Sequence, residues 1–228
     1  PEADQGLDGH VVGLAAFALV ERRAVNPLVH PELLRNRPYV ALLAVGTIGN
    51  MGVNIFILMA TFDLQSIRGF SAQTAGLLFV SGSIGVALSG PVGGWLCSRY
   101  AATRVLAVAT IIGGGSLLLI SVAGGLPLYL IALCIAGLAC GMAYSVTQIG
   151  VQSVVPPQQS GEATSFMLMP LVALGGLAVV IASGIVEQIG DGKPTIEGIS
   201  AVLVGSAAVM AAAGLALLIG ERRLVPAR

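Results

Sequence analysis

Charged side chains disappear from this chain for about twenty residues at a time. Residues 39–62, 74–97, 105–123, 126–149, 163–186 and 198–220 contain no Asp, Glu, Lys, Arg or His. A helix needs about 20 predominantly apolar residues to cross the hydrocarbon core of a bilayer. Within that core every backbone N–H and C=O must be satisfied inside the segment, which favours helices. The pattern therefore predicts an all-α membrane protein with a six-helix bundle over residues 39–220. A shorter apolar run at about 7–20 predicts the end of a preceding transmembrane helix, with an outer loop before it. Residues 21–38 then form a cytoplasmic linker, and 221–228 a cytoplasmic tail.

The polar breaks orient the bundle. Arg22, Arg23, Arg35, Arg37, Arg99, Arg104, Arg222, Arg223 and Arg228 fall on one side if the spans alternate, and only Arg68 and Lys193 on the other. Short loops rich in Lys and Arg stay in the cytoplasm. The arginine-rich face, with the C-terminus, is accordingly the cytoplasmic one. Glu2, Asp4 and Asp8 fall on the outer face.

Composition agrees with membrane residence. The 228 residues are 56% hydrophobic and 10% charged, with a mean hydropathy of +0.93, where soluble domains carry about 25% charged residues. Net charge is zero, and no basic cluster is dense enough for nucleic acid, so that class of partner is excluded. The opening "PEADQGLDGH" has neither a methionine nor a basic segment ahead of an apolar core, so it does not resemble a signal peptide. The chain is expected to be a fragment of a longer protein. Cys97, Cys134 and Cys140 lie in or beside apolar runs and suit packing better than a disulfide or a metal.

Thirty-one glycines change the picture from hydrophobic spans to closely packed ones. Lipid tails are as apolar as leucine, so helices in a membrane associate largely through close backbone approach at small residues. In the second span Gly82, Ser83, Gly85, Ser89, Gly90, Gly93 and Gly94 are expected on one side, with Ile84, Leu88, Val92 and Trp95 largely on the other. Gly137 and Gly141 form a GxxxG in the fourth. Pro91 and Pro170 each remove a helical hydrogen bond and predict bends.

Four stretches resemble a known family. "GPVGGWLCSRYAATRV" is similar to the loop motif between the second and third helices of major facilitator superfamily halves, roughly Gly-x-Leu-Ala-Asp-Arg-x-Gly-x-Arg-Arg. Gly94, Leu96, Arg99 and Arg104 match; Ser98 stands in place of the acid and Ala101 in place of the glycine. "ERRAVNPLVHPELLRNRPYV" resembles the linker before the C-terminal half of the fourteen-helix drug:proton antiporters, with Leu34 for the usual Phe. "FDLQSIRGFSAQTAGLLFV" resembles their outer loop, and "SGEATS" their Gly-x-Ala-Ser phrase. The resemblance runs over about residues 13–223. It implies two rocking six-helix bundles built from inverted three-helix repeats, of which this chain is the C-terminal one. It also implies that the first, second, fourth and fifth full spans line the cavity or its gates, with the third and sixth outside them. The partners implied are the lipid bilayer, an N-terminal half, a small hydrophobic or cationic substrate, and protons.

Candidate site residues follow from helical spacing. Thr47, Asn50 and Asn54 share a face of the first span, as a hydrogen-bonding cavity wall or as interhelical glue. Tyr144 and Gln148 continue the Gly137/Gly141 face of the fourth, where Tyr144 is a stacking surface for a cationic substrate or an interfacial anchor. Met51, Met167 and Met169 form either a pliant lining or ordinary packing. Asp63 and Arg68 bracket an outer loop as a gate contact or a solvated pair. Glu162, after Ser160, suits a helix start. Arg99 and Arg104 hold their loop in the cytoplasm and, by the resemblance, pair with acids or helix C-termini to stabilise one access state. His10 and His30 receive no role. No acid lies inside a span, so a proton carrier belongs to another part of the protein or to an edge such as Asp63 or Glu162. With no His/Asp/Glu cluster, no Ser–His pairing and no metal-ligand spacing, neither an enzyme nor a cofactor is expected. Two readings remain open: the C-terminal half of a secondary transporter, or a non-transporting membrane scaffold or sensor module.

Overall fold

The computed structural model describes residues 31–224; the predicted helix end at 7–20, Arg22, Arg23, His10, His30 and residues 225–228 lie outside the described residues. After a helical turn at Pro31–Arg35 come six long helices: α1 Arg37–Phe62, α2 Ala72–Cys97, α3 Ala102–Val122, α4 Leu126–Ser153, α5 Ser160–Ile189 and α6 Ile196–Leu224. All six are long and apolar enough to cross a membrane.

Each helix is set by local chemistry at its ends. Asn36 caps α1 by accepting from the Tyr39 N–H at 3.3 Å, and Ser71 caps α2 by accepting from the Thr74 N–H at 3.2 Å. Proline occupies the first turns of α1 and α4, where its missing N–H is harmless. Glu162 sits in the first turn of α5, where the helix dipole favours an acid. The reversal before α6 needs left-handed backbone at Gly192, whose φ is 84°. The helical hydrogen-bond ladder runs past the charge-free windows, so Arg37, Gln152 and Glu221 are helical. Likewise α1 continues through a wider π turn, Asp63–Ile67, where the sequence suggests loop. Pro91 lies inside α2 and Pro170 inside α5, and neither ends its helix.

The pairing of helices has an internal symmetry. α2 packs mainly on α4 and α3 on α6; α3 also packs on α4, and α1 packs on α4, α5 and α6 to similar extents. Exchanging the first three helices with the last three maps α1–α5 onto α4–α2, α3–α4 onto α6–α1, and α3–α6 onto itself. That is the contact pattern of a repeated three-helix unit. One apolar core, including Phe56, Met59, Leu133 and Leu203, sits toward the Asp63 end. A second, including Tyr39, Leu106, Val146 and Met167, sits toward the other.

Backbone contact at small residues holds these crossings. A Cβ at Gly85 would overlap the Cys134 carbonyl, and one at Gly137 the Gly82 carbonyl, so α2 and α4 touch main chain to main chain. Ser89 fits against Gly141, and the Ser145 hydroxyl donates to the Ser89 carbonyl at 3.4 Å. The expected stripe on α2 needs correction. Gly82, Gly85, Ser89 and Gly93 are buried against α4, whereas a Cβ at Gly90 or Gly94 would meet nothing within 4 Å, and Ser83 is exposed. Positions 90 and 94 each follow a contact residue by one place, a rotation of about 100°, and so leave the contact face.

Candidate functional site

The residues singled out by spacing separate into two groups. On α1, Asn50 and Asn54 turn toward α5. The Asn50 amide donates to the Leu171 carbonyl at 2.9 Å, and the Asn54 amide to the Asn50 carbonyl at 2.9 Å. Gly175 makes room for both, since a Cβ there would lie 2.8 Å from Asn54 Nδ2 and 3.2 Å from Asn50 Nδ2. Thr47 is buried, and its hydroxyl has no hydrogen-bond partner among the described residues. This polar face of α1 is therefore engaged largely in holding α5.

Tyr144 and Gln148 on α4 behave differently. Ala143 and Thr147 of α4 pack against Gly49 and Gly46 of α1, and Gly141 and Ser145 against Ser89 and Gly93 of α2. Tyr144 falls between these two contact faces and is 38% exposed. Gln148, one turn on, is half-buried. Neither side chain is hydrogen-bonded among the described residues. Two polar groups are thus presented on the seam where α4 is flanked by α1 and α2.

The three methionines do not gather. Met51 lines an apolar groove between α1, α5 and α6, Met167 is fully buried in the core, and Met169 is exposed. A common pliant lining by these three is excluded within this bundle. Cys97, Cys134 and Cys140 are free thiols, the last of them buried.

Each end of the bundle carries an ion pair. Arg68 Nε donates to Asp63 Oδ2 at 2.7 Å, Arg68 Nη2 donates to the Ala123 carbonyl at 2.9 Å, and the guanidinium lies 4.5 Å from the centre of the buried Tyr129 ring. Only 21% of the Arg68 side chain and 16% of Asp63 are exposed. This is a built joint between the ends of α1 and α3 and the start of α4, where a solvated pair was the simpler expectation. At the opposite end Arg104 Nε donates to Glu221 Oε2 at 2.8 Å, and Thr103 lies 3.4 Å from the other Glu221 oxygen. Glu221, assigned from sequence to the tail, is a buried partner of the loop motif. Arg99 instead stacks over Trp95 at 4.2 Å, and Ser98, in place of the motif's acid, donates to the Trp95 carbonyl. Asn36 and Tyr39 also escaped the sequence reading. The Asn36 amide donates to the Val154 carbonyl at 2.8 Å, and the Tyr39 hydroxyl to the Ala163 carbonyl at 3.0 Å, tying α1 to the ends of α4 and α5.

Comparison with known proteins follows the same architecture. The sequence model of the Major Facilitator Superfamily matches residues 40–228. The chain is 30% identical over 160 residues to the multidrug resistance protein Stp of Mycobacterium tuberculosis, covering 68% of this chain and 29% of that protein. It is 23% identical over 158 residues to the multidrug transporter protein MdtP of Bacillus subtilis, again covering 68% and 29%. Among solved structures, a partially occluded inward-open conformation of the xylose transporter XylE from E. coli matches with a TM-score of 0.59 at 16% identity. The match covers 79% of this chain and 49% of that one, and it speaks to the fold alone. The chain spans less than a third of the length of either named relative.

Proposed function

Since the chain belongs to the Major Facilitator Superfamily, and is thus an integral, multi-pass membrane protein, we propose that it forms the C-terminal bundle of a proton-coupled exporter. The exporter carries drugs or hydrophobic metabolites across a bacterial cytoplasmic membrane by alternating access, and the C-terminus lies in the cytoplasm. The bundle works with an N-terminal half, and the two rock about a cavity to which this half contributes one wall.

The observation that carries the reading is the placement of Tyr144 and Gln148. A tyrosine and a glutamine without hydrogen-bond partners among the described residues, inside a membrane-spanning helix, call for water, a ligand or a polar group of the companion half. On the α4 seam, the Tyr144 ring offers a stacking surface and Gln148 both a donor and an acceptor. Such a wall accepts planar cationic and hydrophobic molecules without selecting one sharply. The names of Stp and MdtP as multidrug proteins favour the same substrate class. Thr47, Asn50 and Asn54 support the wall from behind: Asn50 pins α5, and Asn54 packs on Gly175.

Proton coupling is assigned to the companion half. The charge-free windows offer no carboxylate; of the edge acids, Asp63 is engaged by Arg68 in its joint, Glu221 is engaged by Arg104, and Glu162 sits in the first turn of α5, where it suits the helix dipole. This division makes the C-terminal bundle the substrate wall and the partner half the site of protonation.

The test is ethidium uptake into everted vesicles holding the full-length protein, energised by an acid-inside proton gradient. A cation–π contact is worth about 0.5–2 kcal/mol, so Tyr144→Ala should weaken apparent ethidium affinity by about 2- to 30-fold, and Gln148→Ala by less. Asn50→Ala should lower the yield of folded protein and leave transport per molecule close to wild type. Wild-type affinity in both Tyr144→Ala and Gln148→Ala would remove them from the wall.

A further inference from the structure

The groove between α2, α3 and α4 meets requirements that the transport reading leaves unused. α2 and α3 both pack on α4 but touch each other little, so a wedge stays open between them. It encloses about 570 Å³ and is lined by apolar side chains that include Val92, Leu96, Val108, Ile112, Ile135 and Leu138. The polar groups lining it are Tyr100 and Arg104, both near the α2–α3 turn. From Arg104 to Ile112 the groove follows α3 for eight residues, about 12 Å at the helical rise. That is close to the depth of one leaflet of a hydrocarbon core about 30 Å thick.

The mouth is built for an anion. Arg104 gives one nitrogen to Glu221, yet 65% of its side chain stays exposed, while Glu221 is only 10% exposed. The rest of the guanidinium therefore faces out, and the acid faces in. The α3 N-terminus has no side-chain cap and no acid of its own in the first turn; the Glu221 carboxylate, against Thr103 and Arg104, offsets the positive end of the α3 dipole from the inner side. Arg99 stands on Trp95 next to it. Trp95 and Tyr100 are both more than half exposed, at the depth where aromatic residues meet headgroups.

We propose that this groove holds one acyl chain of an anionic phospholipid from the leaflet on the Arg104 side, with its phosphate at the outward side of the Arg104 guanidinium. The apolar wedge of one-leaflet depth fits the chain, and the cationic rim selects the headgroup. The proposal rests on membrane residence and is independent of transport, so failed efflux would not bear on it.

The experiment is native mass spectrometry of the full-length protein, delipidated and then titrated with dioleoyl phosphatidylglycerol or dioleoyl phosphatidylcholine. An arginine near the headgroup favours an anionic lipid by about fivefold, so wild type should retain phosphatidylglycerol about fivefold more strongly. Arg104→Gln should abolish that preference, and Arg104→Lys should keep most of it. Val108→Trp, which fills the groove from an exposed position on α3, should reduce retention of both lipids while leaving the rim intact. Equal retention of the two lipids by wild type would overturn the proposal. So would unchanged retention in a monodisperse Val108→Trp protein.

Discussion

Replacing each glycine of the triplet 113–115 by alanine places the same methyl group in three environments on one helix. A Cβ at Gly115 would meet nothing within 4 Å. At Gly113 it would lie 2.8 Å from Met210 Cε and 3.1 Å from Cys140 Sγ, the movable ends of side chains. At Gly114 it would lie 2.9 Å from the Ala207 carbonyl oxygen and 3.3 Å from Met210 Cβ, and a helix backbone cannot swing aside.

Alanine in place of glycine favours a helix by about 0.5–1 kcal/mol, a gain that all three variants share. Overpacking a tight contact costs about 1–3 kcal/mol. Gly115→Ala should therefore be neutral to stabilising. Gly113→Ala should come out near balance or slightly worse, because Met210 also abuts Gly52 and has limited room to move. Gly114→Ala must push α6 away from α3 and should lose about 1–2 kcal/mol net. The assay is the temperature at which the purified full-length protein loses its monodisperse peak in size-exclusion chromatography, with all three variants made in one background. The expected order of stability is Gly115→Ala, then Gly113→Ala, then Gly114→Ala. A Gly114→Ala protein as stable as Gly115→Ala would refute the claim that main-chain approach sets the α3–α6 crossing.

The joint at the Asp63 end should matter more than a surface pair. Arg68→Gln should cost about 1.5–3 kcal/mol, the range for hydrogen bonds to charged groups, and speed amide exchange over residues 120–129; unchanged exchange there would make the pair ornamental. Orientation is checked with a membrane-impermeant maleimide on intact cells, after replacing Cys97, Cys134 and Cys140 by alanine. A cysteine introduced by Lys193→Cys, exposed in the turn before α6, should label, and one introduced by Ser98→Cys should label only after permeabilisation; the reverse pattern would invert the assigned topology.

What could be seen in the sequence, and what could not, divides along a physical line. A charge-free run about 24 residues long, such as residues 39–62, has few alternatives to a spanning helix, because unsatisfied backbone is intolerable in lipid. Helix ends were less legible, since Arg37 and Glu221 stay in the hydrogen-bond ladder after hydropathy has fallen away. Periodicity tells which residues share a face but says nothing of what that face meets. Spacing puts Asn50 and Asn54 on one face and leaves cavity wall and interhelical glue both open; the neighbour that favours glue lies on α5, more than 110 residues away. The same gap hid Glu221, which is 117 residues from Arg104. Gly85 and Gly90 are identical in composition terms, and only the position of α4 makes one a point of main-chain contact and the other open space. A face with no partner inside the bundle is the informative remainder. Once the small residues of α4 are accounted for by α1 and α2, Tyr144 and Gln148 are left over between them, and that leftover position argues for a ligand more strongly than their spacing did.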